Sequence, residues 1–228
     1  MKKQQGLQQR KSNLIRWRIT MQKANLETFD MVHGTQQIFR KLLDCMSRPG
    51  KIQSISEEIA PINELEGFAS VLQGIAFTLI DREVNFYVLS NHAETITRSL
   101  EWKTYSKRSS IQDADYIFIT NPEVVENITE MMQQVKKGTL LDPHDSATVV
   151  LCVKEVTKIP AATGKLMMSG PGIASEQTVY IDGLQAKWIE ERNKATKEFP
   201  LGIDIILTTR DGDMMAIPRT TLLESEEL

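Results

Sequence analysis

The sequence predicts an α/β fold of three layers, with a mixed sheet flanked by helices. Three observations predict it. Segments with helical apolar spacing alternate with short strand-like runs through the first two thirds of the chain. Strand-like runs dominate the end, where "IDIILTTRDGDMMAIPR" reads as a hairpin. The run "ATVVLCVKEV" is a buried strand, and "LEGFASVLQGIAFTLID" is apolar nearly all round, so it belongs at the centre.

The elements follow in order. Ile38, Leu42, Cys45 and Met46 fall at helical spacing within Thr35–Met46, with Phe39 and Leu43 beside them. Ser47-Arg48-Pro49-Gly50 ends that helix, because proline and glycine continue one poorly. A short strand is expected over 50–55, a central helix over 65–81, a strand over 84–89 and an amphipathic helix over 93–105. A strand over 113–120 leads to Asn121-Pro122, which opens a helix over 122–138. Strands over 147–156 and 165–170 come next. The stretch 179–199 contains a helix that stops before Phe199-Pro200, and the final hairpin closes the chain. No repeat, linker or internal boundary is visible, so residues 24–228 are expected to form one domain.

Charge is unevenly placed. Residues 1–23 hold seven Lys and Arg and no acid. The chain's 27 bases less these seven leave 20 against 30 acids, a balance of −10 over residues 24–228. The acidic body argues against nucleic acid as a main partner. The basic leader has one aromatic residue, Trp17, and no stacking pattern. It is expected to be disordered, in the manner of an extension upstream of a shorter chain starting at Met21. No run reaches the eighteen or so apolar residues of a membrane span. Cys45 and Cys152 lie far apart in apolar surroundings, which points to two reduced, buried thiols and a cytoplasmic protein.

Asp204 is an acid inside an apolar strand, and Arg219 is a base directly after a proline. If Asp211-Gly212 forms a two-residue hairpin loop, opposed residues have numbers summing to 423 and Asp204 faces Arg219. Pro218 then opposes Ile205 in a pair that needs no N–H, at a sheet edge or strand end. Ile203, Ile205 and Leu207 line one face, and Asp204, Ile206 and Thr208 the other. The pair is chiefly structural in this reading. The other reading has the Arg219 guanidinium bind an anion, since its planar fork suits phosphate as well as carboxylate.

Ser169-Gly170-Pro171-Gly172 follows an apolar strand and resembles a phosphate-cradling loop. Position 175 is Ser rather than the third glycine of a dinucleotide fingerprint, and Pro171 removes a backbone donor. A tight bend leaving a strand is the favoured role. Gly164-Lys165 is followed by Leu166, so it is not a Walker loop. His33, His92 and His144 are scattered without helical ligand spacing, and Asp142-Pro143-His144-Asp145 reads as a solvated turn. No metal site, cofactor site or catalytic residue is expected from these patterns.

"QQIFRKLLDCMSRPGKI", "GTLLDPHDSATVVL", "LMMSGPGI", "FPLGIDIIL" and "AIPRTT" occur in the order and spacing of the PhnH family, the H subunit of the bacterial carbon–phosphorus lyase system. The resemblance runs from about Phe29 to Thr221; the basic leader and the acidic "ESEEL" end depart from it. It implies a fold similar to pyridoxal-phosphate-dependent transferases without the cofactor site. It also implies a place in phosphonate use beside subunits G, I and J, with a possible homodimer when free. With G and I, such a subunit supports transfer of a phosphonate onto the ribose of a nucleoside triphosphate, displacing adenine and giving a ribose 1-phosphonate 5-triphosphate. Subunit J then breaks the carbon–phosphorus bond by radical iron–sulfur chemistry. The chain has no cysteine cluster for that step. The alternative is a stand-alone phosphate- or phosphonate-binding enzyme that uses Arg219 and the Gly170–Gly172 bend, with Ser169 beside it.

Overall fold

Two sheets carry the fold of the computed structural model, which describes residues 29–160 and 164–226. The basic leader over 1–23 lies outside the described residues. The first half holds α1 (His33–Ser47), β1 (Gln53–Ser54), α2 (Ser56–Ile59), α3 (Ser70–Leu79), β2 (Asn85–Leu89), α4 (Ala93–Thr104), β3 (Lys107–Arg108) and β4 (Tyr116–Ile119). A 3₁₀ turn (Pro122–Val124) precedes α5 (Ile128–Gln134), β5 (Thr148–Val153), β6 (Glu155–Thr157), β7 (Lys165–Ser169) and β8 (Gln177–Asp182). The chain continues with α6 (Ala186–Ala195), β9 (Asp204–Thr209), β10 (Asp213–Ile217) and β11 (Leu222–Glu226).

The larger sheet is mixed, in the order β1-β10-β9-β5-β4-β2-β3. The block β3-β2-β4-β5-β9 is parallel, and β10 and β1 add antiparallel at one edge. The smaller sheet, β11-β7-β8-β6, is wholly antiparallel.

Strand periodicity divides the core between the two faces of the larger sheet. On one face Phe86, Phe118, Val150 and Ile206 meet α1 to α4 through Ile38, Leu42, Leu72, Ile75, Ile96 and Leu100. On the other, Ile117, Val149, Ile205 and Leu207 meet Met131 of α5, Trp188 of α6, and Leu166 and Val179 of the smaller sheet. Each such side chain, fully buried, contributes roughly 1.5–3 kcal/mol. A one-residue slip of β9 would exchange Ile205 and Leu207 for Ile206, so the register is firmly held.

The central helix is central: Val71 to Ala76 are all buried. It begins five residues later than the sequence suggests, because Leu65–Phe68 forms a tight turn in which the Phe68 amide donates to the Leu65 carbonyl. The expected helix over 122–138 is interrupted. Val125 is extended, and the Asn127 side chain accepts from the Glu130 amide to start α5 afresh. The expected strand over 147–156 divides at Lys154, with β5 in the larger sheet and β6 in the smaller.

Sequence reasoning overlooked β3, the strand β8 ahead of α6, and β11 in the acidic end segment. The layer opposite α1 to α4 therefore contains a sheet as well as helices.

The hairpin register differs from the predicted one. Met215 pairs with Leu207 and Ile217 with Ile205, so paired numbers sum to 422. The loop has three residues, Arg210-Asp211-Gly212, not two. The Gly212 amide donates to the Thr209 carbonyl, and Gly212 takes φ +99°. A turn followed by a glycine at positive φ is the three-residue alternative to the two-residue loop. Pro218 consequently follows the last residue of β10 rather than opposing Ile205. The face assignment is unaffected: Ile203, Ile205 and Leu207 lie in one core cluster and Ile206 in the other.

Candidate functional site

Asp204 opens β9, and Arg219 lies two residues beyond β10. They meet despite the changed register, because Arg219 is past the ladder and its side chain reaches across. Arg219 Nη2 donates to Asp204 Oδ2 at 2.8 Å, and the Arg219 amide to Asp204 Oδ1 at 2.7 Å. Arg219 Nη1 donates to the Pro143 carbonyl at 2.5 Å. Both side chains are mostly buried, at 18% and 14% exposed.

A second arginine, which sequence reasoning missed, completes this cluster. Arg192 on α6 is buried and donates to the carbonyls of Pro218 (2.6 Å) and Thr221 (2.7 Å). It pins the segment that carries Arg219. Burial pushes its guanidinium down to about 10, while the Asp204 carboxylate works the other way, so it stays charged at neutral pH. The signal was present in the sequence: Trp188, Arg192 and Ala195 share one helical face, and all three are buried.

The Ser169–Gly172 bend leaves β7 and packs on this segment. Ser169 pairs with Leu222, and a Cβ at Gly170 would lie 3.0 Å from the Thr220 carbonyl oxygen. The Gly170 carbonyl is taken by the Ile173 amide, and a Cβ at Gly172 would run into the Ser47 carbonyl. Close backbone packing thus accounts for both glycines. The bend and Arg219 are neighbours along the fold, but the guanidinium is directed to Asp204 and Pro143.

His144 is exposed in a turn where the Asp145 amide donates to the Asp142 carbonyl. Among the described residues no three His, Cys, Asp or Glu gather as a metal site, and no helix is long and apolar enough to cross a membrane. Cys45 and Cys152 are free and buried; burial lifts Cys45 to about 11 and raises Cys152 as well.

A cleft of about 900 Å³ opens elsewhere, at the carboxyl ends of the parallel strands. Its walls include Ser90 after β2, Thr120 after β4, Lys154 after β5 and Arg210 after β9. The chain leaves β2 through α4 toward one face of the sheet, and leaves β4 through α5 toward the other. The adjacent strands β2 and β4 thus flank a topological switch point, where open α/β sheets form crevices. Linear sequence could not reveal this, because it depends on strand order.

The fold and these sites define an α/β protein with an open, mostly parallel main sheet, a switch-point cleft and a mostly buried arginine–aspartate cluster. The chain belongs to the PhnH family of bacterial phosphonate metabolism proteins, which it matches over residues 27–224. It is 29% identical over 201 residues to the alpha-D-ribose 1-methylphosphonate 5-triphosphate synthase subunit PhnH of Rhizobium meliloti (strain 1021), covering 86% of this chain and 94% of that one. It is 25% identical over 186 residues to the putative C-P lyase subunit protein HtxG of Stutzerimonas stutzeri, covering 82% and 84%. Family and relatives together support a role in a carbon–phosphorus lyase complex.

Proposed function

We propose that this chain is a non-catalytic subunit of the carbon–phosphorus lyase core complex. With subunits G and I it supports attachment of a phosphonate to the ribose of a nucleoside triphosphate, with loss of the base, and it assembles with subunit J as well. A homodimer when free, kinship of fold with pyridoxal-phosphate-dependent transferases, and a cytoplasmic location in which both thiols stay reduced belong to the same reading.

One observation carries it over the stand-alone enzyme. Arg219, the cation that an anion site would need, already spends Nη2 on Asp204 and Nη1 on Pro143. A phosphonate would have to displace a mostly buried carboxylate to bind there, which costs several kcal/mol, about 3–5. Co-expression with G, I and J, followed by size exclusion with mass measurement, tests the proposal. The expected result is one assembly containing all four chains. Elution of this chain alone, with the other three assembled, would overturn it.

A further inference from the structure

We propose that the switch-point cleft between β2 and β4 binds the nucleoside part of a nucleotide, with the base on its apolar wall and the ribose hydroxyls on its free carboxylates. The site rests on the fold; the choice of a nucleoside rests on the subunit reading above.

Size and position come first. The volume is in the usual range for small-molecule sites, and the crevice stands where such sheets bind ligands. Charge decides the class. The two cations in the walls are already neutralised. Lys154 Nζ lies 2.8 Å from Glu123, and Arg210 pairs with Glu64. Glu126 and Asp211 also line the cleft, and neither carboxylate has a hydrogen-bond or ion-pair partner among the described residues. The walls thus carry more acid than base, which repels phosphate, phosphonate and triphosphate groups. A carboxylate only accepts hydrogen bonds, so its ligand must donate. Neutral vicinal hydroxyls or an exocyclic amine meet that need.

The apolar wall supplies the rest. Leu89, Val124 and Val125 reach the cleft surface together, with Leu72 and Val153 buried behind them. Val124 is 63% exposed, so its side chain is open to a ligand. The His92 ring lines the cleft beside Gly67, where an added Cβ would come within 2.6 Å of it. The ring has no hydrogen-bond partner among the described residues and is placed to stack on a base. The proposed pose keeps a charged tail in solvent, away from the two carboxylates.

The test is isothermal titration of the purified full chain with adenosine. We expect one saturable site, with adenosine triphosphate binding within about tenfold of adenosine because its phosphates stay outside. Asp211→Asn with Glu126→Gln should weaken adenosine ~10-fold or more, equal to about 1.4 kcal/mol. Val124→Asp, a substitution at an exposed position, should weaken it similarly while the melting temperature holds. Inorganic phosphate should not compete. No adenosine binding in the millimolar range, affinity indifferent to these substitutions, or displacement by phosphate would each overturn the proposal. A chain that assembles with its partner subunits but ignores adenosine sinks this inference alone. A chain that binds adenosine but does not assemble sinks the subunit reading alone.

Discussion

Replacing Asp204 with alanine removes the carboxylate from a cluster of two arginines, turning a net charge of +1 into +2. Asp204 accepts from Arg219 Nη2 and the Arg219 amide at 2.8 and 2.7 Å, with a longer contact from Nε at 3.5 Å. Arg219 is 18% exposed, so solvent recovers little of the lost interaction. Arg192 is buried and also feels the Asp204 charge. Breaking a buried pair from one side typically costs about 3–5 kcal/mol, and Asp204→Ala is expected in that range. Asp204→Asn keeps an acceptor for the Arg219 amide but turns a donor NH2 toward Arg219 Nη2, so it loses the charge and that bond, for about 1.5–3 kcal/mol. Asp204→Ala with Arg219→Ala should cost ~1–3 kcal/mol less than the two singles added. Equilibrium urea unfolding of the four species of the cycle measures this. Singles that add within about 0.5 kcal/mol would refute energetic coupling and revive Arg219 as a free anion-binding group.

Other predictions follow from packing and titration. Gly212 sits at φ +99°, and an added Cβ would come 2.9 Å from the Ser56 backbone; Gly212→Ala should destabilise by ~1–3 kcal/mol, and an unchanged urea midpoint would contradict the strained conformation and close contact at this glycine. Burial lifts the Cys45 thiol to about 11 from an ordinary value of 9.0, against the pull of Lys51. A raised folded pKa means stability that is complete below pH 9 and lost as pH climbs toward 11, roughly 3 kcal/mol from this thiol. Cys45→Ala should lack that part of the alkaline loss, and parallel pH profiles for the two proteins would show that the thiol does not contribute. A chain begun at Met21 should keep its melting temperature and its assembly; a fall of several degrees would mean that the leader packs.

Legibility in the sequence followed the range of the interactions involved. The helix over Thr35–Met46, the buried helix around Leu72 and the faces of β9 were readable, because period and burial are local properties. The helix break at Val125 was not, since the Asn127 cap and an extended residue outweigh a continuous apolar pattern. The hairpin failed by one residue because Asp211-Gly212 suits both a two-residue loop and the end of a three-residue one. Asp204 and Arg219 still meet, since a long side chain beyond the strand end tolerates the shift. Arg192 was readable in principle from its place beside Trp188 on the buried face of α6. The smaller sheet and the cleft depend on pairings such as β7 with β11 and on the order of β2 and β4, which no local pattern encodes.

Reconstitution of the transfer step tests the central claim most directly. Subunits G and I, a nucleoside triphosphate and a phosphonate are combined with and without this chain, and ribose 1-phosphonate 5-triphosphate is followed by phosphorus NMR. The account predicts product only when the chain is present, none from the chain alone, and undiminished turnover per assembled complex when Ser169, Lys165 or His144 is replaced. Turnover by the isolated chain would contradict it. So would a loss above about 100-fold from any of these substitutions with assembly intact, since that is the scale of a general acid or base.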